Sequence, residues 1–99
     1  LLPKFEIFIG NEHMCTIESE FYFFKPKYHI LPVNWSVEGD AWQWDYQILD
    51  QNKNVVANVS KQLWNWSDTY MIDTRDDSVL MSLLVVLAID CDKCSRESR

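Results

Sequence analysis

Apolar and polar residues alternate with period two through the first three quarters of the chain. Phe5, Ile7 and Ile9 alternate with Glu6 and Phe8, and Gly10-Asn11-Glu12 reads as a turn. Met14 to Ile17 resumes as a strand. Phe21-Tyr22-Phe23-Phe24 is aromatic on both faces, and Tyr28 to Leu31 is extended up to Pro32. Pro26 has no amide hydrogen, so it belongs at an edge or bend rather than in a central ladder. Trp35 to Glu38 alternates toward a turn at Gly39-Asp40. Trp42, Trp44, Tyr46 and Ile48, at strict two-residue spacing, predict a strand with both tryptophans on one face. A polar turn follows at Asp50 to Asn54, then strands at Val55 to Val59 and Thr69 to Ile72, giving about seven in all.

The strands carry an internal repeat. Displaced by 42 residues, Met14-Cys15-Thr16-Ile17 falls on Val56-Ala57-Asn58-Val59, Phe21 on Leu63, Tyr22 on Trp64, Phe24 on Trp66, Tyr28 on Tyr70 and Ile30 on Ile72. Phe5 and Ile7 match Tyr46 and Ile48 with a one-residue slip. The period predicts a duplicated supersecondary unit. A spacing of about 40 residues also suits propeller blades, but two copies followed by a helix do not build one.

After Asp73-Thr74-Arg75-Asp76-Asp77 the pattern changes. Within Ser78–Ile89 only Ser78 and Ser82 are polar. Thr74 and Asp77 have the spacing of a capping box. The run is shorter than the ~20 residues of a membrane span and longer than a typical strand, although Val85-Val86 keeps a strand alternative open. Its apolar residues go all round the helical wheel, which predicts a helix buried on every side. Aspartate at Leu83 or Leu84 is then expected to abolish folding. The fold class is mainly β: antiparallel strands with one C-terminal hydrophobic helix. Residues 1–91 form the domain, and 92–99 read as a polar tail.

Charge and cysteines narrow the function. Nine basic residues against fifteen acidic ones give a net charge of −6. That argues against nucleic acid, whose phosphates need Lys and Arg, and against electrostatic attraction to anionic membrane. The chain begins Leu1-Leu2-Pro3 without Met, so upstream residues are expected, and no signal sequence is visible. Three cysteines, Cys15, Cys91 and Cys94, form no regular disulfide framework and point to a reducing, cytoplasmic location. The sequons at Asn34, Asn58 and Asn65 are then coincidental.

Certain segments resemble a known family. Trp35-Ser36-Val37-Glu38-Gly39-Asp40 with Trp44-Asp45-Tyr46-Gln47-Ile48, Val56 to Lys61, Trp66 to Tyr70 and Val86-Leu87-Ala88-Ile89-Asp90 are similar to a LURP-one-related domain, over roughly Lys4 to Cys91. The resemblance implies a tubby-like fold, shared with the phospholipid scramblases: a closed antiparallel barrel of about a dozen strands around a hydrophobic helix. Only about seven strands are counted here, so a partial barrel is expected, corresponding to the C-terminal part of the domain. Open edges and an apolar helix face would favour self-association.

No catalytic set stands out. Cys15 with His13 or His29 lacks an orienting group and a positive environment. The single Cys91-Asp92-Lys93-Cys94 has half the ligands of a structural zinc site, and it follows a helix rather than opening one, so no metal and no cofactor is assigned. Asp40, Asp45, Asp50, Asp73, Asp76 and Asp77 have turn and cap duties and lack calcium-loop spacing. Trp42 and Trp44, and Trp64 and Trp66, are candidates to line a ligand groove, or else they pack inside the barrel. Lys25, Lys27 and Lys61, on equivalent connectors of the two repeats, could form a patch for an anionic phospholipid head group. The leading reading is a non-catalytic binding or scaffold module for an unknown protein or small ligand. A peripheral membrane tether is the alternative, and an enzyme the third choice.

Overall fold

Side chains on a strand point to opposite faces in turn. The segment Lys25–Leu31 obeys the rule strictly: Pro26, Tyr28 and Ile30 are buried, while Lys25, Lys27 and His29 are exposed. A computed structural model describes residues 4–22, 25–64 and 67–97. The strands are β1 (Lys4–Ile9), β2 (Glu12–Tyr22), β3 (Lys25–Leu31), β4 (Trp35–Asp40), β5 (Asp45–Leu49), β6 (Val55–Trp64) and β7 (Ser67–Thr74). Each pairs antiparallel with its sequence neighbours in one seven-stranded sheet, curled into a half-barrel. A helix, α1 (Val79–Glu97), packs on the inner face.

The repeat has a structural counterpart. Cys15 and Ile17 of β2 and Ala57 and Val59 of β6 are all fully or almost fully buried. Ile30 of β3 is in the core, and Ile72 of β7 packs against it. The duplicated unit is therefore β1–β2–β3 against β5–β6–β7, with β4 between them. The pairs Phe24–Trp66, and the side chains of Phe21, Tyr22, Leu63 and Trp64, lie outside the described residues. Pro26 occupies β3 opposite Phe21, in the half of that strand that does not pair with β4. On the β4 side, therefore, its missing donor costs no ladder bond.

One predicted strand begins late. Asp40 pairs with Asp45, so only four residues remain to reverse the chain. They form a 3₁₀ turn at Ala41–Gln43, with the Gln43 amide donating to Asp40 Oδ1 at 3.3 Å and Trp44 in the left-handed region at φ 54°. Trp42 and Trp44 thus sit in a turn and not on a strand. Just before it, Gly39 has φ 109°, and a Cβ there would lie 2.7 Å from the Asp45 carbonyl oxygen. Gly39→Ala is expected to cost about 2 kcal/mol, read as a lowered midpoint in urea.

The Asp50–Asn54 turn forms as expected. Asp50 Oδ1 accepts from the amides of Asn52 at 2.9 Å and Asn54 at 3.0 Å. These bonds, the Asn54 one first, hold the Asp50 carboxyl below its ordinary value of 3.8, with Arg75 adding to the effect. A lowered folded-state pKa stabilises above the unfolded value and is lost as pH falls through the folded one. Asp50→Ala should therefore be less stable than the parent at neutral pH, and the gap should close below about pH 4, as measured by thermal unfolding across pH.

The helix departs from expectation in three ways. Thr74 does not cap it: its hydroxyl donates to the Arg75 carbonyl at 3.2 Å and meets Ser82 Oγ at 3.1 Å, because Thr74 is still part of β7. A 3₁₀ turn at Asp76–Ser78 leads in, with no side-chain cap. The helix also continues past Ile89 to Glu97, through the segment read as a polar tail. Two i,i+4 pairs, Asp92–Arg96 and Lys93–Glu97, support that extension. Finally, the helix is buried on one side only. Ser82, Val85, Val86, Ala88, Ile89 and Asp92 are buried, whereas Leu80, Leu83 and Leu87 are 51%, 42% and 57% exposed. The half-barrel covers the first set, and the other set faces away from it.

Candidate functional site

The C-terminal half of α1 carries the densest polar arrangement among the described residues. Asp92, 2% exposed, points into the half-barrel. A buried carboxylate needs partners, and among the described residues it has two. Arg96, one turn on, donates from Nε to Oδ1 at 3.0 Å and to Oδ2 at 3.1 Å. The Tyr28 hydroxyl donates to Oδ2 at 2.6 Å. Arg96 Nη2 reaches Ser19 Oγ at 2.9 Å, and the guanidinium lies 5.5 Å from the Trp42 ring centroid. Trp42 Nε1 in turn donates to the Tyr28 hydroxyl at 3.1 Å. Burial, and then the bond to Asp92, push the Tyr28 pKa up, so the phenol stays protonated and keeps donating. The network fastens α1 to β2, β3 and the 41–43 turn.

Beside this network lies a groove of about 120 Å³ between α1 and the strand ends, lined by Trp42, Trp44, Lys61, Tyr70, Asp90 and Lys93, among others. Trp44 and Tyr70 stack with ring centroids 4.0 Å apart at 28°. Lys61 reaches the groove because it opposes Tyr70 in the β6–β7 ladder and follows the buried Ala57 and Val59 at two-residue intervals. The groove thus offers aromatic surface with charges of both signs at its edge.

The candidate residues from the sequence divide accordingly. Trp42, Trp44 and Lys61 meet at the groove. Trp66 and the side chain of Trp64 lie outside the described residues. Lys25 and Lys27 project from the outer face of β3, while Lys61 belongs to the inner face, so the sheet does not gather the three lysines into one patch. Asp92, Arg96, Tyr28, Tyr70 and Lys93 were not singled out by sequence reasoning. Two signals pointed to them: the i,i+4 spacing of Asp92 with Arg96 and Lys93 with Glu97, and the repeat that equates Tyr28 with Tyr70.

The family model for LURP-one-related proteins matches residues 1–92. The chain belongs to the LURP-one-related family. Within Bacillus subtilis (strain 168), the uncharacterized protein YxjI is 34% identical to it over 91 residues. That alignment takes in 91% of this chain and 56% of YxjI, so the chain spans little more than half the length of the curated relative it matches. No solved structure matches. The region matched to the LURP-one-related model ends at Asp92, the residue that anchors the helix. Among the described residues, no helix is long and apolar enough to cross a membrane.

Proposed function

We propose that this LURP-one-related chain is a non-catalytic, cytoplasmic binding module, and that a small, flat ligand with a polar edge occupies the groove between α1 and the β6–β7 end of the sheet. The stacked Trp44–Tyr70 pair carries the reading. Binding sites combine apolar aromatic surface with a few placed polar groups, and Lys61, Asp90 and Lys93 supply those at the rim. The groups of the candidate Cys15–histidine pair favour binding over catalysis. Burial raises the Cys15 pKa, which keeps the thiol protonated and unreactive. His13 is exposed and engaged with Glu6 at 3.0 Å and Thr16 at 3.1 Å, and His29 is exposed and paired with Asn34 at 2.6 Å. Neither pairs with Cys15, which faces the core.

The test is a titration with benzoate and, separately, benzylamine, following the indole N–H resonances of Trp42 and Trp44. A saturable shift with either probe, lost in Tyr70→Ala, is expected. Resonances that stay put with both probes, or a shift that survives Tyr70→Ala, would remove the groove from consideration.

A further inference from the structure

The outer face of the sheet holds a second cleft, on the side opposite the aromatic groove. Strands β3 and β4 share only two ladder pairs, His29 with Ser36 and Ile30 with Trp35. Beyond these, β3 runs back to Lys25 and β4 runs on to Asp40 without pairing, although β4 stays laddered to β5 as far as Asp40–Asp45. The facing edges therefore diverge. The opening has a volume of about 180 Å³ and is bordered by Glu20, Lys27, His29, Ser36, Glu38 and Lys53.

We infer that this cleft between β3 and β4 binds a small zwitterion, an α-amino acid being the simplest member of the class. The charges around it decide the class. Lys27 and Lys53 would repel a bare amine, and Glu20 and Glu38 would repel a bare carboxylate or phosphate. A ligand carrying both signs meets complementary partners on both counts. The Ser36 hydroxyl is buried and has no hydrogen-bond partner among the described residues, although buried polar groups are nearly always paired. A turn of that side chain toward the cleft would bring the hydroxyl to a ligand carboxylate or ammonium. The unladdered strand edges supply further backbone donors and acceptors of the kind that fix orientation in small-molecule sites.

Isothermal titration of the full chain with the twenty standard amino acids, and with acetate, phosphate and methylamine as single-charge controls, tests the assignment. At least one amino acid should bind with one-to-one stoichiometry, at least tenfold more tightly than any control. Lys27→Gln and Glu38→Gln, both at exposed positions, should each weaken that binding at least tenfold with unchanged circular dichroism, while Tyr70→Ala leaves it intact. Binding of acetate or phosphate as tight as that of any amino acid would make the cleft a simple anion site and overturn the inference. So would the absence of heat with all twenty, or affinity unchanged in both variants. The groove reading stands or falls separately at Trp44, which stacks on Tyr70; Trp42 bonds to Tyr28, which also lines the cleft, and does not separate the two.

Discussion

Arg96→Ala is expected to lower the free energy of unfolding by about 3 kcal/mol, toward the low end of what removing one member of a buried ion pair costs. Asp92 is 2% exposed and, among the described residues, keeps only the Tyr28 bond once the guanidinium is gone. Arg96 itself is 22% exposed, so water reaches part of the site and holds the loss to that end of the range. The neighbouring pair, Lys93 with Glu97 at 3.9 Å, is an internal control. It lies nearer the surface, and Lys93→Ala should change stability by about 0.5 kcal/mol or less. The double variant Asp92→Leu/Arg96→Leu should recover most of the Arg96→Ala loss, since it removes the buried charge together with its partner. Urea unfolding at neutral pH separates the cases. Equal losses for Arg96→Ala and Lys93→Ala would mean that Asp92 is hydrated in the folded protein and that the network does not fasten the helix.

Much of the fold was legible because it rests on local, periodic signals. Alternation identified the strands, the 42-residue repeat identified the duplicated unit, and an apolar run of helical length identified α1. The errors have local causes too. Trp42 and Trp44 kept the period of a strand, but the Asp40–Asp45 pairing forces a four-residue reversal there, and register depends on the partner strand. Hydrophobicity ends at Ile89 and sets the predicted end of the helix there. The next two turns are instead held by ion pairs and by Asp92 inside the half-barrel, and a buried aspartate looks like any surface aspartate in a sequence. The site was less legible than the fold. Trp42, Trp44 and Lys61 were named, but their meeting point depends on Tyr70 and Lys93, which come from different elements. The β3–β4 cleft exists because two strands diverge, and no residue pattern announces that.

The two faces of α1 make the sharpest contrast. Val85→Asp is expected to prevent folding, whereas Leu83→Asp, two residues away, should fold. Val85 is fully buried against the half-barrel. An unpaired carboxylate there costs several kcal/mol, comparable with the 5–15 kcal/mol that holds a whole domain together. Leu83 is 42% exposed, on the stripe it shares with Leu80 and Leu87 at three- and four-residue spacing. Aspartate there leaves the sheet–helix core untouched and should change stability by roughly 0.5–1 kcal/mol, from the lower helix propensity of Asp and the lost leucine contacts. All-round hydrophobicity alone predicts failure for both substitutions, so the pair distinguishes a helix lining a half-barrel from one enclosed on every side. Circular dichroism, soluble yield and a cooperative thermal transition report the outcome. A Leu83→Asp variant that fails to fold would show that the leucine stripe is covered in the folded protein. Loss of a dimer with the fold retained would show that a second copy covers it.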